Sequence, residues 1–322
     1  MPDLTPSQLS NTVQSMRGFA GISCTVSLAT IITVIAYKRL RSTLNTILAC
    51  LAFSDFGLAF VLCFGTNYLK NQQACYGLGI IAEYFFNASS SWNLILFFYI
   101  FAFVVFGGVK AEWVFRIGVY YAWLLPLLLT GIGFIAEKAN PKLYPLYGAS
   151  SLQCWITGNG IFWWYRIYIY FIPLWIHYFG IFVFYLCVAY VVHKRSEESR
   201  GSVNEAARKT AEYQKMLFWK GSFIVFSFFA CSVPASAYRI CAALPDTCKY
   251  NPNLYMIQGI MQSWNGVWNA IVFALFTRWY GHLHLDETVR NSEAKSTDST
   301  ASNMEHKWWV EPGKKILKTS EV

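Results

Sequence analysis

A few polar side chains stand inside long apolar stretches of this sequence, where they are best placed to do chemistry. Asp55 is the one charged residue between positions 44 and 69. Asn93, Asn265 and Asn269 lie in other apolar stretches and are the partners expected for its carboxyl group. Ionisable groups surrounded by hydrocarbon are costly and usually pair with one another. The four residues predict a polar core cluster, which either binds water or an ion or holds helices in register as a neutral, hydrogen-bonded acid.

Glu83, Arg166 and Arg239 lie near the ends of three further apolar stretches. Each side chain either extends to water or turns inward. Turned inward, the acid and the two guanidinium groups would line a cavity floored by aromatic residues such as Trp92 and Tyr238. A guanidinium suits carboxylate or phosphate ligands because its donors form a planar fork. These five residues are therefore the candidate ligand-binding set, although aromatic residues at such depths also form a lipid-facing belt.

The composition shows what kind of protein must position these groups. The 322 residues are 55% hydrophobic and 13% charged, with a formal net charge of +9. Soluble domains are roughly 45–50% apolar and about 25% charged. So few charges cannot cover the surface of a soluble protein, and soluble enzymes, disordered chains and fibrous repeats are excluded.

Seven apolar stretches are long enough to cross a membrane, which takes about 20 residues in a helix. They are residues 18–37, 44–69, 74–109, 117–136, 159–192, 216–243 and 252–276. The sequence therefore predicts an all-α, integral membrane seven-helix bundle. Pro173 and Pro234 fall inside the fifth and sixth spans, where a proline removes a hydrogen bond and bends the helix. Pro234 is either a fixed bend or a hinge for half of the sixth span.

The orientation follows from the basic residues, because Lys and Arg concentrate in cytoplasmic loops. The connections 38–43, 110–116 and 193–215 hold eleven of them, against five on the other side. This predicts residues 1–17 as an extracellular N-terminus and residues 18–285 as the membrane domain, which ends in a short surface helix. Residues 286–322, with six basic and seven acidic side chains, predict a disordered cytoplasmic tail.

Four of the nine cysteines are predicted on the oxidising side: Cys75, Cys154, Cys241 and Cys248. Four cysteines allow three pairings. A Cys75–Cys154 bridge is favoured, since it would tie a loop over the bundle and restrict its conformations. Cys241 and Cys248 flank a short loop, and whether they are bridged stays open.

Enzyme and cofactor chemistry find little support. His177 is the one histidine at membrane depth, and no Cys, Asp or Glu completes a metal site with His282 and His284. The seventh span carries no lysine for a Schiff base. The sequence predicts no catalytic site, no metal and no cofactor. A transporter or channel for a small solute is the alternative, but its usual internal repeats and paired acidic residues are not evident.

Several short motifs, in their order along residues 16–285, resemble a known family. They are Leu51-Ala-Phe-Ser-Asp-Phe56, Ala74-Cys-Tyr76, Ser89-Ser-Ser-Trp92, Gln153-Cys-Trp-Ile156, Tyr170-Phe-Ile-Pro-Leu-Trp175 and Trp268-Asn-Ala-Ile-Val-Phe273. The set resembles the cAMP-receptor-like G protein-coupled receptors of slime moulds, fungi and plants, which lie near the secretin-like receptors. The chain departs from rhodopsin-like receptors, since Phe106-Gly-Gly-Val-Lys110 and Asn269-Ala-Ile-Val-Phe273 replace two of their motifs.

The resemblance implies a multi-pass plasma-membrane receptor with an extracellular ligand, not necessarily cAMP, and no nucleic-acid partner. Ligand binding would move the inner end of span six away from span three, open a cleft for a Gα subunit and promote nucleotide exchange, with cAMP signalling as one outcome. Membrane lipid, and kinase- or arrestin-like regulators at the tail, are the other partners implied. The expected coupling residues are Lys110, Arg116, Lys194, Arg195, Lys215 and Lys220.

Overall fold

The computed structural model describes residues 6–106, 108–150, 152–157, 162–200, 205–243 and 252–275. Long helices account for most of them, and two short strands account for one connection. The helices are α1 (Pro6–Ala36), α2 (Thr43–Gly65), α3 (Gln72–Phe106), α4 (Gly108–Ala139), α5 (Phe162–Arg166), α6 (Ile172–Arg200), α7 (Glu205–Ala243) and α8 (Pro252–Ser263). The strands are β1 (Tyr147–Ser150) and β2 (Gln153–Ile156).

Six helices of the described residues are long and apolar enough to cross a membrane. Five of them are α1 to α4 and α7. The sixth runs from Phe162 to Glu198 and combines α5, a π-helical turn at Ile167–Phe171 and α6. Helices satisfy their own backbone hydrogen bonds, which is why they can span hydrocarbon. The chain is therefore a helical, multi-pass membrane protein.

The seventh apolar stretch differs from the single helix expected over residues 252–276. Helix α8 ends at Ser263, a turn follows at Trp264, and residues 265–275 are helical again. Gly266 follows this turn, and a Cβ atom there would lie 2.4 Å from the Oγ atoms of Ser23 and Ser27 in α1. A glycine is required because the second segment touches α1 too closely for a side chain. The surface helix expected up to residue 285 and the tail lie outside the described residues.

Helix α1 is longer than the expected span, since it begins at Pro6 instead of residue 18. Proline suits the first helical position, where its fixed φ fits and its missing N–H costs nothing. Thr12 and Met16 are buried in this added part, with 0% and 1% of their surface exposed. Residues 6–17 therefore belong to the same helix as the first span.

The described residues are mostly helical, as predicted, and the two strands form a hairpin that the sequence did not indicate. They pair antiparallel from Tyr147 opposite Ile156 to Ser150 opposite Gln153. The hairpin lies directly on α3 at Gly79, where a Cβ atom would be 3.1 Å from the Trp155 carbonyl oxygen. Each strand has four residues, which is too short for an alternating pattern to reveal it. We call the end of the bundle that carries this hairpin the hairpin end, and the other the opposite end.

Helix α3 forms the centre of the described bundle. Its most apolar stretch is 67% buried, against 28% in α1, in α4 and in the span that contains α6. It nevertheless carries a row of buried polar side chains: Glu83, Asn87, Ser89, Ser90, Ser91 and Asn93. Polar groups at the centre of a membrane bundle must find partners on neighbouring helices. The position of α3 therefore decides where the polar chemistry lies.

Three prolines interrupt the spans. Pro173 follows the π-helical turn, which accommodates the hydrogen bond that proline cannot donate. Pro234 lies inside α7, as the sequence indicates. Pro126 lies inside α4 and was missed.

Candidate functional site

The carboxyl group of Asp55 joins three segments of the bundle. Its Oδ1 accepts hydrogen bonds from Ser89 Oγ at 2.8 Å and Asn265 Nδ2 at 2.6 Å. Its Oδ2 accepts one from Asn269 Nδ2 at 2.6 Å. Asp55 is 1% exposed, and all three donors are neutral. One acid thus connects α2, α3 and residues 265–275.

The structure therefore brings two of the three expected asparagines to Asp55. The third, Asn93, donates to the Ser89 backbone carbonyl at 2.9 Å and reaches the cluster only through that residue. Ser89 begins one of the motifs in the sequence but was not among the candidate site residues. A serine within an apolar helix usually bonds to its own backbone, so its type gave no signal.

A polar cavity adjoins this cluster on the side of the hairpin end. Its volume is about 30 Å³, which is enough for one or two water molecules. Its polar lining comprises Ser89, Ser90, Ser232, Gln262 and Asn265. Ser89 and Asn265 are also Asp55 donors, so a molecule in this cavity would contact the cluster directly. We call this space the central cavity.

Trp155 of the hairpin packs against two residues of the central cavity wall. Its ring packs against Phe86 at 5.7 Å and Tyr170 at 5.1 Å between centroids, and both residues line the cavity. The Trp155 indole N–H donates to Glu83 Oε2. Glu83 Oε1 accepts from Asn87 Nδ2 at 2.7 Å. The hairpin is thus fastened to α3 by an acid that is itself held in place.

Arg166 clamps the two strands together. Its Nη2 donates to Ser150 Oγ of β1 at 2.6 Å, and its Nε donates to the Ile156 carbonyl of β2 at 2.9 Å. Its guanidinium carbon lies 5.2 Å from the Trp155 ring centre, a cation–π contact. Arg166 is 2% exposed and Glu83 is 0% exposed. Both side chains are therefore buried and contact the hairpin in this structure.

The structure contains the favoured disulfide. Cys75 at the start of α3 is bonded to Cys154 in β2, with their Cα atoms 5.2 Å apart. The bond fixes the strand that carries Trp155. Within the described residues, the free cysteines are those placed inside spans: Cys24, Cys50, Cys63, Cys187 and Cys231. The Cys241 side chain and Cys248 lie outside what the structure describes.

The remaining ligand-binding candidates lie elsewhere. Trp92 is fully buried between α3 and α4, where its ring packs against Trp123 at 5.4 Å and does not line the central cavity. The side chains of Tyr238 and Arg239 lie outside the described part of α7. Pro234 is flanked in α7 by Ser232 and Ala235, which both line the cavity. Pro234 is therefore beside the cavity.

His177 extends the polar chain to α4 and was not proposed as a site residue. Ser90 Oγ donates to the Asn87 carbonyl at 3.0 Å, so it accepts from His177 Nδ1 at 3.1 Å. His177 Nε2 then accepts from Tyr121 Oη at 2.8 Å. This tautomer follows from the hydrogen-bond partners. A neutral imidazole thus has a partner on both nitrogens and connects three spans.

Basic side chains gather at the opposite end. Lys110, Arg116, Lys194 and Lys215 are exposed there. Arg195 is partly buried, and its Nη1 donates to the Val104 carbonyl at 2.6 Å. That carbonyl lies in the last turn of α3, where no intrahelical donor remains. The side chain of Lys220 lies outside the described set.

The described residues contain no group of three or more His, Cys, Asp or Glu side chains that could hold a metal ion. The site therefore offers hydrogen bonding and shape recognition through the central cavity, the acid-centred cluster and the basic opposite end.

Comparison with known proteins identifies the family of the chain. The family described as 7 transmembrane receptor (Secretin family) matches residues 13–260, which is most of the chain and includes the hairpin and the disulfide. No curated protein matches the chain. The family accounts for the helical bundle, and the chain belongs to the secretin family of seven-transmembrane receptors.

Proposed function

We propose that this receptor binds an extracellular ligand at the hairpin end and promotes nucleotide exchange on a Gα subunit at the opposite end. One observation supports this most strongly. Ser89 and Asn265 line the central cavity and also donate to Asp55. A ligand in the cavity therefore changes hydrogen bonds that join α2, α3 and residues 265–275.

Helix α7 is the element that would transmit the change. Phe228, Cys231, Ser232 and Ala235 of α7 line the central cavity, and Pro234 lies among them. The other half of α7 carries Lys215 at the opposite end. A proline within a helix weakens its hydrogen bonding and permits bending. A ligand shifts this equilibrium only by its different affinity for the straight and bent states.

The coupling surface is the exposed basic set at the opposite end. Lys110, Arg116, Lys194 and Lys215 present positive charge without an acidic partner that the structure describes. Charge of one sign speeds and orients the encounter with a partner of the other sign. Arg195 is held by α3 in this conformation and becomes available when the two spans separate. We propose an acidic face of Gα as the partner.

The proposal includes an orientation and a subgroup. The N-terminus lies outside, the tail from residue 286 lies in the cytoplasm, and the chain lies in the plasma membrane. The motif resemblance supports the cAMP-receptor-like subgroup within the family. Membership of a receptor family weighs against a transporter or channel.

The test is nucleotide exchange by the purified receptor in lipid nanodiscs. Binding of a non-hydrolysable GTP analogue is followed for each Gα subtype, with candidate ligands that include cAMP added to the nanodiscs. We expect faster exchange on at least one subtype than with empty nanodiscs. No acceleration with any subtype and any ligand would sink the coupling proposal.

The orientation has its own test. An epitope tag inserted before residue 6 should bind antibody on intact cells, whereas a tag after residue 322 should require permeabilisation. The reverse pattern would show that the orientation is inverted.

A further inference from the structure

A second, smaller cavity lies at the tip of the hairpin. Its volume is about 10 Å³, and it lies between α1, the hairpin and α8. The residues around it include Met16, Ser150, Leu152, Gln153, Gln258 and Gln262. None of its lining residues is charged. We call this space the tip cavity.

Two of the residues that line the tip cavity, Gln153 and Gln258, carry buried hydrogen-bond acceptors. Gln153 and Gln258 are each 6% exposed. The Oε1 atom of each is buried, and no described residue donates to it. A buried polar atom without a partner is costly and is uncommon in folded proteins. The two side chains are therefore suited to a molecule that brings donors with it.

The tip cavity is connected to the rest of the site through shared residues. Gln262 lines both the tip cavity and the central cavity. Ser150, in the tip cavity wall, accepts the hydrogen bond from Arg166 that clamps the strands. A molecule here contacts Ser150 of the hairpin clamp and Gln262, which also lines the central cavity.

We propose that the tip cavity is a binding subsite for a small uncharged molecule with at least two N–H or O–H donors, such as a primary carboxamide. The two glutamine carbonyl groups accept from it. An ion is disfavoured because the lining offers no opposite charge, and burying an unpaired charge is expensive. The inference rests on the proposed receptor function, to which it adds the chemical class of the ligand.

The cavity must widen to admit more than one water molecule, and Met16 is the wall that can move. A methionine side chain has three rotatable bonds and adapts to irregular spaces. Met16 is 1% exposed, so its methyl group reports on the cavity interior. The chain has six methionines, which keeps the methyl spectrum simple enough to assign.

The test uses ¹³C-methyl-methionine NMR of the full receptor in nanodiscs. Acetamide is the probe, and N,N-dimethylacetamide is its matched control without N–H donors. We expect acetamide to shift the Met16 methyl resonance saturably, whereas dimethylacetamide leaves it in place. Equal shifts with both probes, or no saturable shift with acetamide, would overturn the proposal. This comparison needs no variant.

Variants locate the acceptors. Gln153→Met and Gln258→Met keep the side-chain length and remove the carbonyl, and each should weaken acetamide binding at least about threefold. Gln214→Met is the control, because Gln214 also has a buried, unpartnered Oε1 but lies outside the tip cavity. Unchanged resonances of the other methionines verify the fold. Equal affinity in all three variants would contradict the assignment.

The readout separates this inference from the proposed function. Saturable acetamide binding with no nucleotide exchange on any Gα would remove the signalling role and leave the subsite. Nucleotide exchange without saturable acetamide binding would remove the subsite and leave the signalling role.

Discussion

Replacing Asp55 with alanine removes the acceptor that three neighbouring side chains share. Ser89, Asn265 and Asn269 each lose their hydrogen bond to the carboxyl group, at present 2.6 to 2.8 Å long. Asn265 keeps a weaker bond to Ser89 Oγ at 3.1 Å. The other donors must find new partners within a buried site, which Asp55 occupies with 1% exposure.

The expected loss of stability follows from the energies of hydrogen bonds measured in membrane proteins. Each contributes about 0.6 kcal/mol on average and at most about 1.7 kcal/mol. Three such bonds give a loss of roughly 2 kcal/mol, with an upper bound of about 5 kcal/mol. A loss of 2 kcal/mol lowers Tm by about 4–8 °C for a domain of 150–250 residues, and somewhat less for a longer chain.

The free cysteines provide the assay. Cys231 is buried and Cys50 is partly buried, so a thiol-reactive fluorophore reports their exposure during heating in detergent. Ser54→Ala is the matched control, because Ser54 is a buried neighbour whose Oγ bonds only to the Cys50 carbonyl within α2. We expect Asp55→Ala to melt several degrees lower and Ser54→Ala to melt within about one degree of the wild type.

Equal Tm values for Asp55→Ala and the wild type would refute the reasoning, since they would mean that the cluster does not hold the spans together. An equal loss in Ser54→Ala would also refute it, because the effect would then follow from any polar change in α2.

Three further perturbations test the hairpin. Trp155→Phe keeps an aromatic ring but loses the N–H that donates to Glu83. The free energy of unfolding should fall by about 1 kcal/mol, which is measured as a lower Tm. An unchanged Tm would show that this hydrogen bond does not fasten the hairpin. Replacing both Cys75 and Cys154 with serine frees a loop of 79 residues and should lower the free energy of unfolding by about 4.5 kcal/mol through chain entropy. A reducing agent should lower the Tm of the wild type but not that of the double variant. Burial raises the pKa of Tyr147 above its ordinary value, so the folded state resists ionisation of this phenol. The resulting stability is present below about pH 10 and is lost as the pH rises further. Between pH 8 and pH 11, the Tm of Tyr147→Phe should therefore fall by less than the Tm of the wild type. Equal falls would contradict the burial of this hydroxyl group.

The sequence predicts the spans well because a membrane helix is encoded by uninterrupted apolar residues. It also indicates the neighbours of Asp55, since an isolated carboxyl group at that depth needs partners and few polar residues lie within reach. The disulfide follows from cysteine placement and loop position, although three pairings were possible.

Other features arise from contacts that the apolar pattern of the sequence does not indicate. The hairpin strands are four residues long, and Trp155 and Arg166 acquire their roles only when the hairpin lies over α3. The sequence assigns Ser89 and His177 no partner, because Asp55 and Tyr121 reach them from neighbouring spans. The turn at Trp264 depends on how closely Gly266 approaches α1. Long-range packing decides each of these.

The most direct test of the central claim is nucleotide exchange by a charge variant of the opposite end. The variant carries glutamine at four exposed positions: Lys110, Arg116, Lys194 and Lys215. The control carries glutamine at three exposed positions of the hairpin end: Lys70, Lys138 and Lys142. If the receptor couples to Gα through its basic face, exchange in nanodiscs falls at least tenfold in the first variant, equivalent to about 1.4 kcal/mol, and stays near the wild-type rate in the control. Equal rates in both variants and the wild type would contradict the account.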